Sequence, residues 1–191
     1  MMKRIFDLGL AVSMLLPAAL MCLLLILPVW RDCRANPFFV QIRVGRGQRP
    51  FRLVKLRTMR RDTPDMASHE VGAAQITPLG RILRRTKLDE LPQLYNVLRG
   101  EMSLVGPRPC LPSQLELIAE RAARGVFDLR PGITGPAQIA GIDMSTPRAL
   151  AIADAAYRGR WSAARDIRYL LMTAFGRGRG DAAAGRLAGD G

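Results

Sequence analysis

The segment from Leu8 to Trp30 contains no charged residue, and it restricts the fold of this chain more than any other feature. About 20 apolar residues are enough for a helix to cross the hydrocarbon core of a bilayer. Lys3 and Arg4 precede the segment, as in a secretory signal peptide, but the apolar run is long for a signal. Charged residues, including Arg31 and Asp32, stand where a cleavage site needs small ones. We therefore expect the segment to remain attached and to hold the protein in a membrane.

Two features of this segment bear on whether it crosses the membrane. Basic residues lie on both sides of it, and the positive-inside rule then keeps both of its ends in the cytoplasm. Pro17 lies near the middle, where it removes a helical hydrogen bond and favours a kink. The half from Leu8 to Leu16 spans only about 14 Å, roughly half the hydrocarbon thickness. These features favour a re-entrant helix hairpin with its membrane kink at Pro17, and a single crossing is the alternative, because membrane helices tolerate proline.

The chain is strongly basic. Lysine and arginine outnumber the acidic residues by 29 to 16 among 191 residues, which gives a formal net charge of +13. Such an excess is typical of proteins that bind nucleic acid, anionic lipid or a polyphosphate substrate. A membrane-tethered nucleic-acid-binding protein is the less favoured alternative, because aromatic residues are not interleaved with the basic ones and no helix-turn-helix pattern is evident.

Short alternating runs after the apolar segment predict a β-hairpin. Four apolar residues share one face of its first strand: Phe38, Val40, Ile42 and Val44. A turn rich in glycine follows at residues 45–50, and residues 51–56 run back as the second strand. Lys55 lies near the end of that strand and belongs to a basic cluster.

The remaining pattern is mostly helical. Residues 79–85 place three apolar side chains on one side of a helix and three arginines on the other, which predicts a short amphipathic helix suited to anionic lipid or phosphate: Leu79, Ile82 and Leu83 against Arg81, Arg84 and Arg85. An apolar stripe from Ile167 to Phe175 predicts a helix that faces the core or an interface. We therefore predict an α+β fold, mostly helical, with a membrane helix at residues 1–34 and amphipathic surface helices around a compact cytoplasmic catalytic domain at residues 35–175. Residues 176–191 are rich in Gly, Ala and Arg and are predicted to be a disordered tail.

Asp89 and Glu90 are two adjacent carboxylates in a basic region. Asp89 is predicted to be the N-cap of a helix that runs from about Glu90 to Arg99, with Pro92 in the first turn, where no amide hydrogen is needed. Gly100 would end this helix. The simpler interpretation is that Asp89 only caps the helix and Glu90 complements its dipole. An ionised carboxylate can also be a nucleophile that forms an aspartyl-phosphate.

Two stiff turns each carry one arginine. Gly106-Pro107-Arg108-Pro109 contains two prolines, which restrict the backbone around Arg108. Arg130-Pro131-Gly132-Ile133-Thr134-Gly135 is the second such turn. A planar guanidinium fork suits phosphate oxygens better than a flexible lysine does. An acidic pair among arginines therefore indicates a metal and an anionic substrate rather than a solvated surface charge.

Several stretches of the chain match one known family. The most specific stretch runs from Thr86 to Pro109 and includes Asp-Glu-Leu-Pro-Gln and Gly-Pro-Arg-Pro. The others are Lys3-Arg4-Ile5-Phe6-Asp7, the proline-broken apolar segment, Phe51 to Met59, Leu79-Gly80-Arg81, Arg130 to Gly135, and Tyr157 with Trp161, Asp166 and Ile167. On these residues, which extend over nearly the whole chain, the protein resembles the bacterial sugar transferases of the monotopic phosphoglycosyl transferase family, which start undecaprenyl-linked glycan assembly.

The resemblance implies a reaction and a set of residues. Enzymes of this family move a sugar-1-phosphate from a UDP-sugar to undecaprenyl phosphate and release UMP, with Mg²⁺ and a covalent phosphosugar–enzyme intermediate. Asp89 would be the nucleophile, and Glu90 would be its partner in holding Mg²⁺ or in proton transfer. Four basic residues would bind the phosphates of the two substrates: Lys55, Arg84, Arg108 and Arg130.

The resemblance also implies a location, which is the cytoplasmic (inner) membrane of a bacterium, with a re-entrant helix and the catalytic domain on the cytoplasmic face. The expected partners are the UDP-sugar, undecaprenyl phosphate and anionic lipid, without nucleic acid, and a homodimer is compatible with them. The chain departs from the family at Leu16, where a serine often precedes the proline, and at residues 141–147, a region expected to influence sugar choice. An inactive membrane-bound scaffold is the alternative function, and the intact acidic pair argues against it.

Overall fold

Helices surround two small sheets in the part of the chain that the structure, a computed structural model, describes: residues 1–63, 75–159 and 161–176. In chain order the elements are α1 (Met2–Cys33), β1 (Phe38–Val44), β2 (Pro50–Leu56), α2 (Pro78–Thr86), α3 (Gln93–Arg99), β3 (Ser103–Val105), α4 (Leu115–Ala123), β4 (Gly132–Thr134), α5 (Pro136–Ile139), α6 (Pro147–Ala155) and α7 (Ala163–Ala174). Short 3-10 turns lie at Arg46–Gln48, Leu88–Glu90 and Val126–Asp128. The predicted mixed and mostly helical fold, with a small β-hairpin after a long apolar helix, is confirmed.

The apolar segment forms a single helix. α1 is 32 residues long and continues through Pro17 and Pro28, so the predicted helix–break–helix form is not confirmed. Each proline removes one backbone hydrogen bond, but the remaining hydrogen bonds keep the backbone helical on both sides of it. By length and composition, α1 can cross a membrane.

Both ends of α1 pack on the same globular part of the protein. Near its beginning, Ala11 is buried in a cluster with Leu94 and Val97 of α3. Near its end, Val29 is buried against Leu83 of α2. The apolar side chains between these contacts are largely exposed: Val12, Leu15, Leu16, Leu20, Leu23, Leu24 and Leu27. Ala18, between these contacts, is also buried in the main core, so α1 lies along the domain with one side buried and its other apolar side chains exposed.

The β-hairpin is confirmed. β1 and β2 pair antiparallel from Phe38 opposite Leu56 to Val44 opposite Pro50. The face that the sequence pattern makes apolar is not the face that packs inward, since Val40 and Ile42 are exposed. The opposite face is buried, and there Gln41 and Arg43 lie within the domain.

The amphipathic helix predicted near residues 79–85 is α2. Its N-cap is Thr77, whose hydroxyl accepts a hydrogen bond from the N–H of Gly80 at 3.1 Å. Leu83 faces inward, while Ile82 is half exposed. The helix ends at Lys87, which adopts the left-handed conformation with φ 59°.

The apolar stripe near the C-terminus lies on α7. Leu170 packs against the main core, whereas Ile167, Leu171 and Phe175 are exposed. The predicted apolar stripe therefore packs against the core in part only, and the rest of it is exposed on another face of α7. The predicted disordered tail falls almost wholly on residues 177–191, outside the described residues.

A parallel pair of short strands brings the two arginine turns together. β3 pairs with β4, with Ser103 opposite Gly132 and Val105 opposite Thr134. The backbones approach so closely that a Cβ on Gly132 would lie 2.1 Å from the amide nitrogen of Gly106. Glycine is therefore required at this crossing, which fixes where the turn around Arg108 begins.

Candidate active site

The acidic pair lies in a 3-10 turn between two helices. Asp89 and Glu90 belong to the turn Leu88–Glu90, which follows the left-handed Lys87. The predicted helix beginning at Glu90 is therefore wrong: α3 begins at Gln93, and its N-cap position is Pro92, without a side-chain cap. The left-handed Lys87 redirects the chain at the end of α2, and the N–H of Glu90 then bonds to the Lys87 carbonyl at 3.2 Å instead of to a capping side chain. The predicted helix end at Gly100 is confirmed, with φ 80°.

Asp89 is buried and incompletely satisfied. The residue is only 5% exposed, and within the described residues its Oδ1 accepts no hydrogen bond. Buried carboxylate oxygens normally find a donor, so an oxygen left open in a basic pocket points to a ligand. Burial, and then the neighbouring charge of Glu90, raise the pKa of Asp89 to about 6, against the opposing effects of Lys55, Arg84 and Lys87.

Glu90 is paired with two basic side chains. Its Oε1 accepts a hydrogen bond from Nη1 of Arg108 at 3.2 Å. The ammonium of Lys87 lies 3.9 Å from the same oxygen. Glu90 is 6% exposed, so these contacts balance a charge that is withdrawn from water. The structure thus brings Arg108, from the Gly-Pro-Arg-Pro turn, to the acidic pair.

Arg84 and Lys55 reach the pair from α2 and β2. Nε of Arg84 donates to Oγ1 of Thr58 at 2.9 Å, and Thr58 is itself buried. The Lys55 ammonium lies 5.5 Å from the ring centroid of Phe39, a cation–π distance. Both cations act on the pKa of Asp89, which places their charges close to its carboxylate.

Arg130 lies elsewhere. Its Nε donates to the carbonyl of Gly100 at 2.9 Å, at the end of α3, whereas the acidic pair precedes the beginning of α3. Arg130 lines a cleft of about 620 Å³ together with Arg46 and Arg49. Partial burial and the charge of Arg46 lower its pKa. The structure therefore joins three of the four predicted phosphate-binding residues to the acidic pair and separates the fourth.

Two residues at the site were not singled out from the sequence. Lys87 contacts Glu90 and lowers the pKa of Asp89, and Thr58 holds the guanidinium of Arg84. Both lie within stretches that carried the family resemblance, and this was the available signal. Sequence spacing alone does not predict either contact. Lys87 reaches Glu90 across a 3-10 turn, and Thr58 lies outside the helix that carries Arg84.

The beginning of α1 is tied to α7 by a buried polar network. The Lys3 ammonium lies 3.0 Å from Asp7 Oδ1 and 2.5 Å from Asp166 Oδ2. Tyr157 donates its hydroxyl to Asp166 at 2.6 Å, and Trp161 Nε1 donates to it at 3.0 Å. Asp7 and Asp166 are almost fully buried. This network accounts physically for the matched residues at the two ends of the chain.

The donor set of the acidic pair suits a magnesium ion that is shared with a substrate. In the described ranges, three or more His, Cys, Asp or Glu side chains do not converge on a possible metal site. Mg²⁺ is commonly held by one or two carboxylates together with substrate phosphates and water. The adjacent buried carboxylates of Asp89 and Glu90 offer such a partial set.

Comparison with known proteins identifies the family of this chain. The sequence profile of the bacterial sugar transferase family matches residues 1–178. A UDP-glucose:undecaprenyl-phosphate glucose-1-phosphate transferase of Caulobacter vibrioides is 41% identical over 182 residues, which are 90% of this chain and 67% of that protein. An undecaprenyl-phosphate glucose phosphotransferase of Komagataeibacter xylinus is 40% identical over 186 residues, 90% of this chain and 35% of that protein.

A third relative is a UDP-galactose-lipid carrier transferase of Erwinia amylovora, 38% identical over 192 residues, with 90% of this chain and 39% of that protein covered. The chain thus spans between about a third and two thirds of the length of these three relatives. The prediction of a sugar-phosphate transferase enzyme is confirmed at the level of the family. The chain belongs to the bacterial sugar transferase family.

Proposed function

We propose that this protein transfers a sugar-1-phosphate from a UDP-sugar to undecaprenyl phosphate and releases UMP. The observation that carries the proposal is the buried Asp89 carboxylate, which has an open oxygen and is surrounded by basic side chains. Relatives with 38–41% identity bear names that describe transfer of glucose-1-phosphate, or of UDP-linked galactose, to a lipid carrier.

The first step uses the open oxygen of Asp89 as the nucleophile. Oδ1 attacks the phosphorus that carries the sugar, a new O–P bond forms, and the bond to the bridging oxygen breaks, so that UMP leaves with that electron pair. In the second step an ionised oxygen of undecaprenyl phosphate attacks the same phosphorus, and the aspartyl O–P bond breaks. The carboxylate is thereby restored, and neither step requires a net change of protonation on the enzyme.

The surrounding cations stabilise the charge on the transferring group. Phosphoryl transfer depends mainly on positioning and on neutralisation of phosphate oxygens. Lys55, Arg84 and Arg108 are placed to do this. The carboxylates of Asp89 and Glu90 would hold Mg²⁺, which would supply additional neutralisation of phosphate charge when bound.

The membrane segment would place the lipid phosphate at this site. Both ends of α1 pack on the catalytic domain, as does Ala18 between them, and most of the other apolar side chains are exposed, which supports a re-entrant segment in the cytoplasmic leaflet of the inner membrane. In that arrangement the exposed side chains meet lipid. Labelling of single cysteines near residues 2 and 34 in intact inverted vesicles should find both on the cytoplasmic face, and labelling on opposite faces would contradict the re-entrant form.

The test of the reaction is UMP release from a panel of UDP-sugars, with purified membrane-extracted protein, undecaprenyl phosphate and Mg²⁺. We expect release to require the lipid and the metal, and to be abolished by Asp89→Asn, which removes the charge but keeps the size. Asp128→Asn is the matched control, because its side chain is 61% exposed and lies away from the acidic pair. Full activity of Asp89→Asn would exclude the covalent mechanism.

A second measurement separates the intermediate from overall turnover. Incubation with the UDP-sugar but without lipid should add one phosphosugar to the intact mass of the protein, and Asp89→Asn should show no addition. If no sugar supports UMP release by a folded preparation, the inactive scaffold becomes the preferred function.

A further inference from the structure

The turn that carries Arg108 is held by its carbonyl groups. Four consecutive carbonyls each accept a hydrogen bond: Pro107 from Gly132 N at 2.8 Å, Arg108 from Arg121 Nη1 at 2.8 Å, Pro109 from Arg43 Nη1 at 3.1 Å, and Cys110 from Val44 N at 2.9 Å. Proline has no N–H to donate, so two of these residues can be fixed only through their acceptors. Two of the four donors are guanidinium groups.

Arg121 is buried and is itself oriented by a carboxylate. It is 2% exposed on α4, and Asp154 on α6 is 1% exposed. Nε and Nη2 of Arg121 donate to Oδ2 of Asp154 at 3.1 and 2.6 Å. The remaining nitrogen, Nη1, is left pointing at the Arg108 carbonyl. The planar guanidinium therefore transmits the orientation of Asp154 to the turn.

Arg43 acts in the same way from the other side. It is 8% exposed on β1, and its Nε and Nη2 donate to Oε1 of Gln41 at 2.9 and 2.5 Å. Its Nη1 reaches the carbonyl of Pro109. Gln41 and Arg43, buried on the inner face of the β-hairpin, thus provide a second oriented hydrogen-bond donor to the turn that carries Arg108.

These contacts matter because of what Arg108 does. Its Nη1 bonds to Glu90 at 3.2 Å, and its side chain is 30% exposed, so this guanidinium lies at the acidic pair and is reached by solvent. We propose that Arg121, oriented by Asp154, and Arg43 are positioning residues that set the direction of Arg108 toward the transferring phosphate. This inference rests on the proposed function.

Fold stability alone gives no reason for this arrangement. Apolar residues of similar volume often replace a buried ion pair without loss of stability. Such residues can fill the space of Arg121 and Asp154, but they cannot donate to the Arg108 carbonyl. The directed hydrogen bond is therefore the property that distinguishes the pair from a packed apolar core.

The variant that separates the two roles is Arg121→Met with Asp154→Leu, which removes both charges and keeps the volume. We expect its melting temperature to stay near that of the wild type, while kcat/KM for the UDP-sugar falls about 10- to 100-fold, as for a small misplacement of a substrate-binding group. The matched control is Arg158→Gln with Asp128→Asn, since this salt bridge joins the segment after α6 to the turn Val126–Asp128 and both of its side chains are more than half exposed. The control should keep full activity.

A double-mutant cycle tests whether the effect passes through Arg108. In an Arg108→Ala background the same pair of substitutions should lower kcat/KM by less than about twofold, because residues that act through one group are not additive. Equal losses in both backgrounds would overturn the proposal and leave a purely structural role. If the double variant fails to fold, Arg43→Met takes its place in the same cycle with the same expected outcomes.

A measurement without substrate separates this inference from the proposed function. Hydrogen exchange at the amides of Arg108, Cys110 and Leu111 should become faster in the Arg121→Met, Asp154→Leu variant and stay unchanged in the control. Unchanged exchange would overturn the positioning role whatever the activity. Absence of UMP release by the wild-type protein, together with faster exchange in the variant, would instead count against the proposed function alone.

Discussion

Asp89 and Glu90 are adjacent in the chain, yet their carboxylates differ in the hydrogen bonds that they accept. Oε1 of Glu90 accepts a hydrogen bond from Arg108 at 3.2 Å, whereas within the described residues Oδ1 of Asp89 accepts none. Both residues are buried. The charge of Glu90 is balanced by Arg108, whereas Asp89 has one oxygen that is available to bind a ligand or to attack a phosphorus atom. This difference supports the proposal that Asp89 is the nucleophile and Glu90 its partner.

The first prediction concerns the pH dependence of transfer. Asp89 must be ionised to attack, and its pKa of about 6 without bound metal should produce an acid limb at or below that pH, because Mg²⁺ favours the charged carboxylate. Glu90→Gln removes the neighbouring charge that raises the pKa of Asp89, so the limb of the residual activity should move to lower pH. The check is kcat/KM between pH 5 and 8 for both proteins. A limb at the same pH in both would show that Glu90 does not act on the nucleophile.

The second prediction concerns stability. The pKa of Asp89 is raised from 3.8 to about 6 in the folded protein, so the folded state binds the proton more tightly than the unfolded state does. Its contribution is fully present below pH 3.8 and is lost as pH rises through about 6. Asp89→Asn should therefore stabilise the protein at pH 7.5 by up to roughly 3 kcal/mol.

Thermal unfolding in detergent at several pH values tests this stability. The gain from Asp89→Asn should shrink as the pH falls toward 4, because the wild-type carboxyl group then becomes neutral as well. Asp128→Asn again provides the control, with little change at any pH. A loss of stability at pH 7.5 would mean that the surrounding cations outweigh the burial of the Asp89 charge.

The third prediction compares two arginines that the sequence placed in one group. Arg108→Ala removes the donor to Glu90 at the acidic pair and should lower kcat/KM about 100- to 1,000-fold. Arg130→Ala acts at the other end of α3 and should have a much smaller effect on kcat. UMP release with saturating and limiting UDP-sugar measures both. Equal losses in kcat would show that Arg130 reaches the substrate during the reaction.

The fourth prediction concerns the attachment of α1. Lys3→Met leaves Asp7 and Asp166 buried without the ammonium that lies within 3.0 Å of each. Breaking one partner of such a network should cost about 2–4 kcal/mol, somewhat less than for a fully buried pair, because Lys3 is 24% exposed. Thermal unfolding measures the loss, and Lys3→Arg should recover part of it. A Lys3→Met protein as stable as the wild type would contradict an ionic role for the network.

Local signals in the sequence were sufficient for several elements. The uncharged run predicted α1, the alternating residues predicted the β-hairpin, and Gly100 marked the end of α3. In each case the cause is local, since hydropathy, side-chain alternation and tolerance of positive φ act within a few residues. The predicted helix start at Asp89 was wrong, although Asp is a good N-cap residue. The left-handed Lys87 leads the chain into a 3-10 turn, and the conformation of Lys87 could not be read from local residue preferences.

By itself, the sequence determined that this protein carries a long apolar helix, a β-hairpin and an acidic pair among basic residues, because residue type and spacing decide these. Only the tertiary structure decided that Asp89 keeps an open oxygen, that Arg108 rather than Arg130 joins the pair, and that both ends of α1 pack on one domain. These properties depend on contacts between residues far apart in the chain. Burial and charge pairing arise only when those elements pack, and no local pattern encodes that packing.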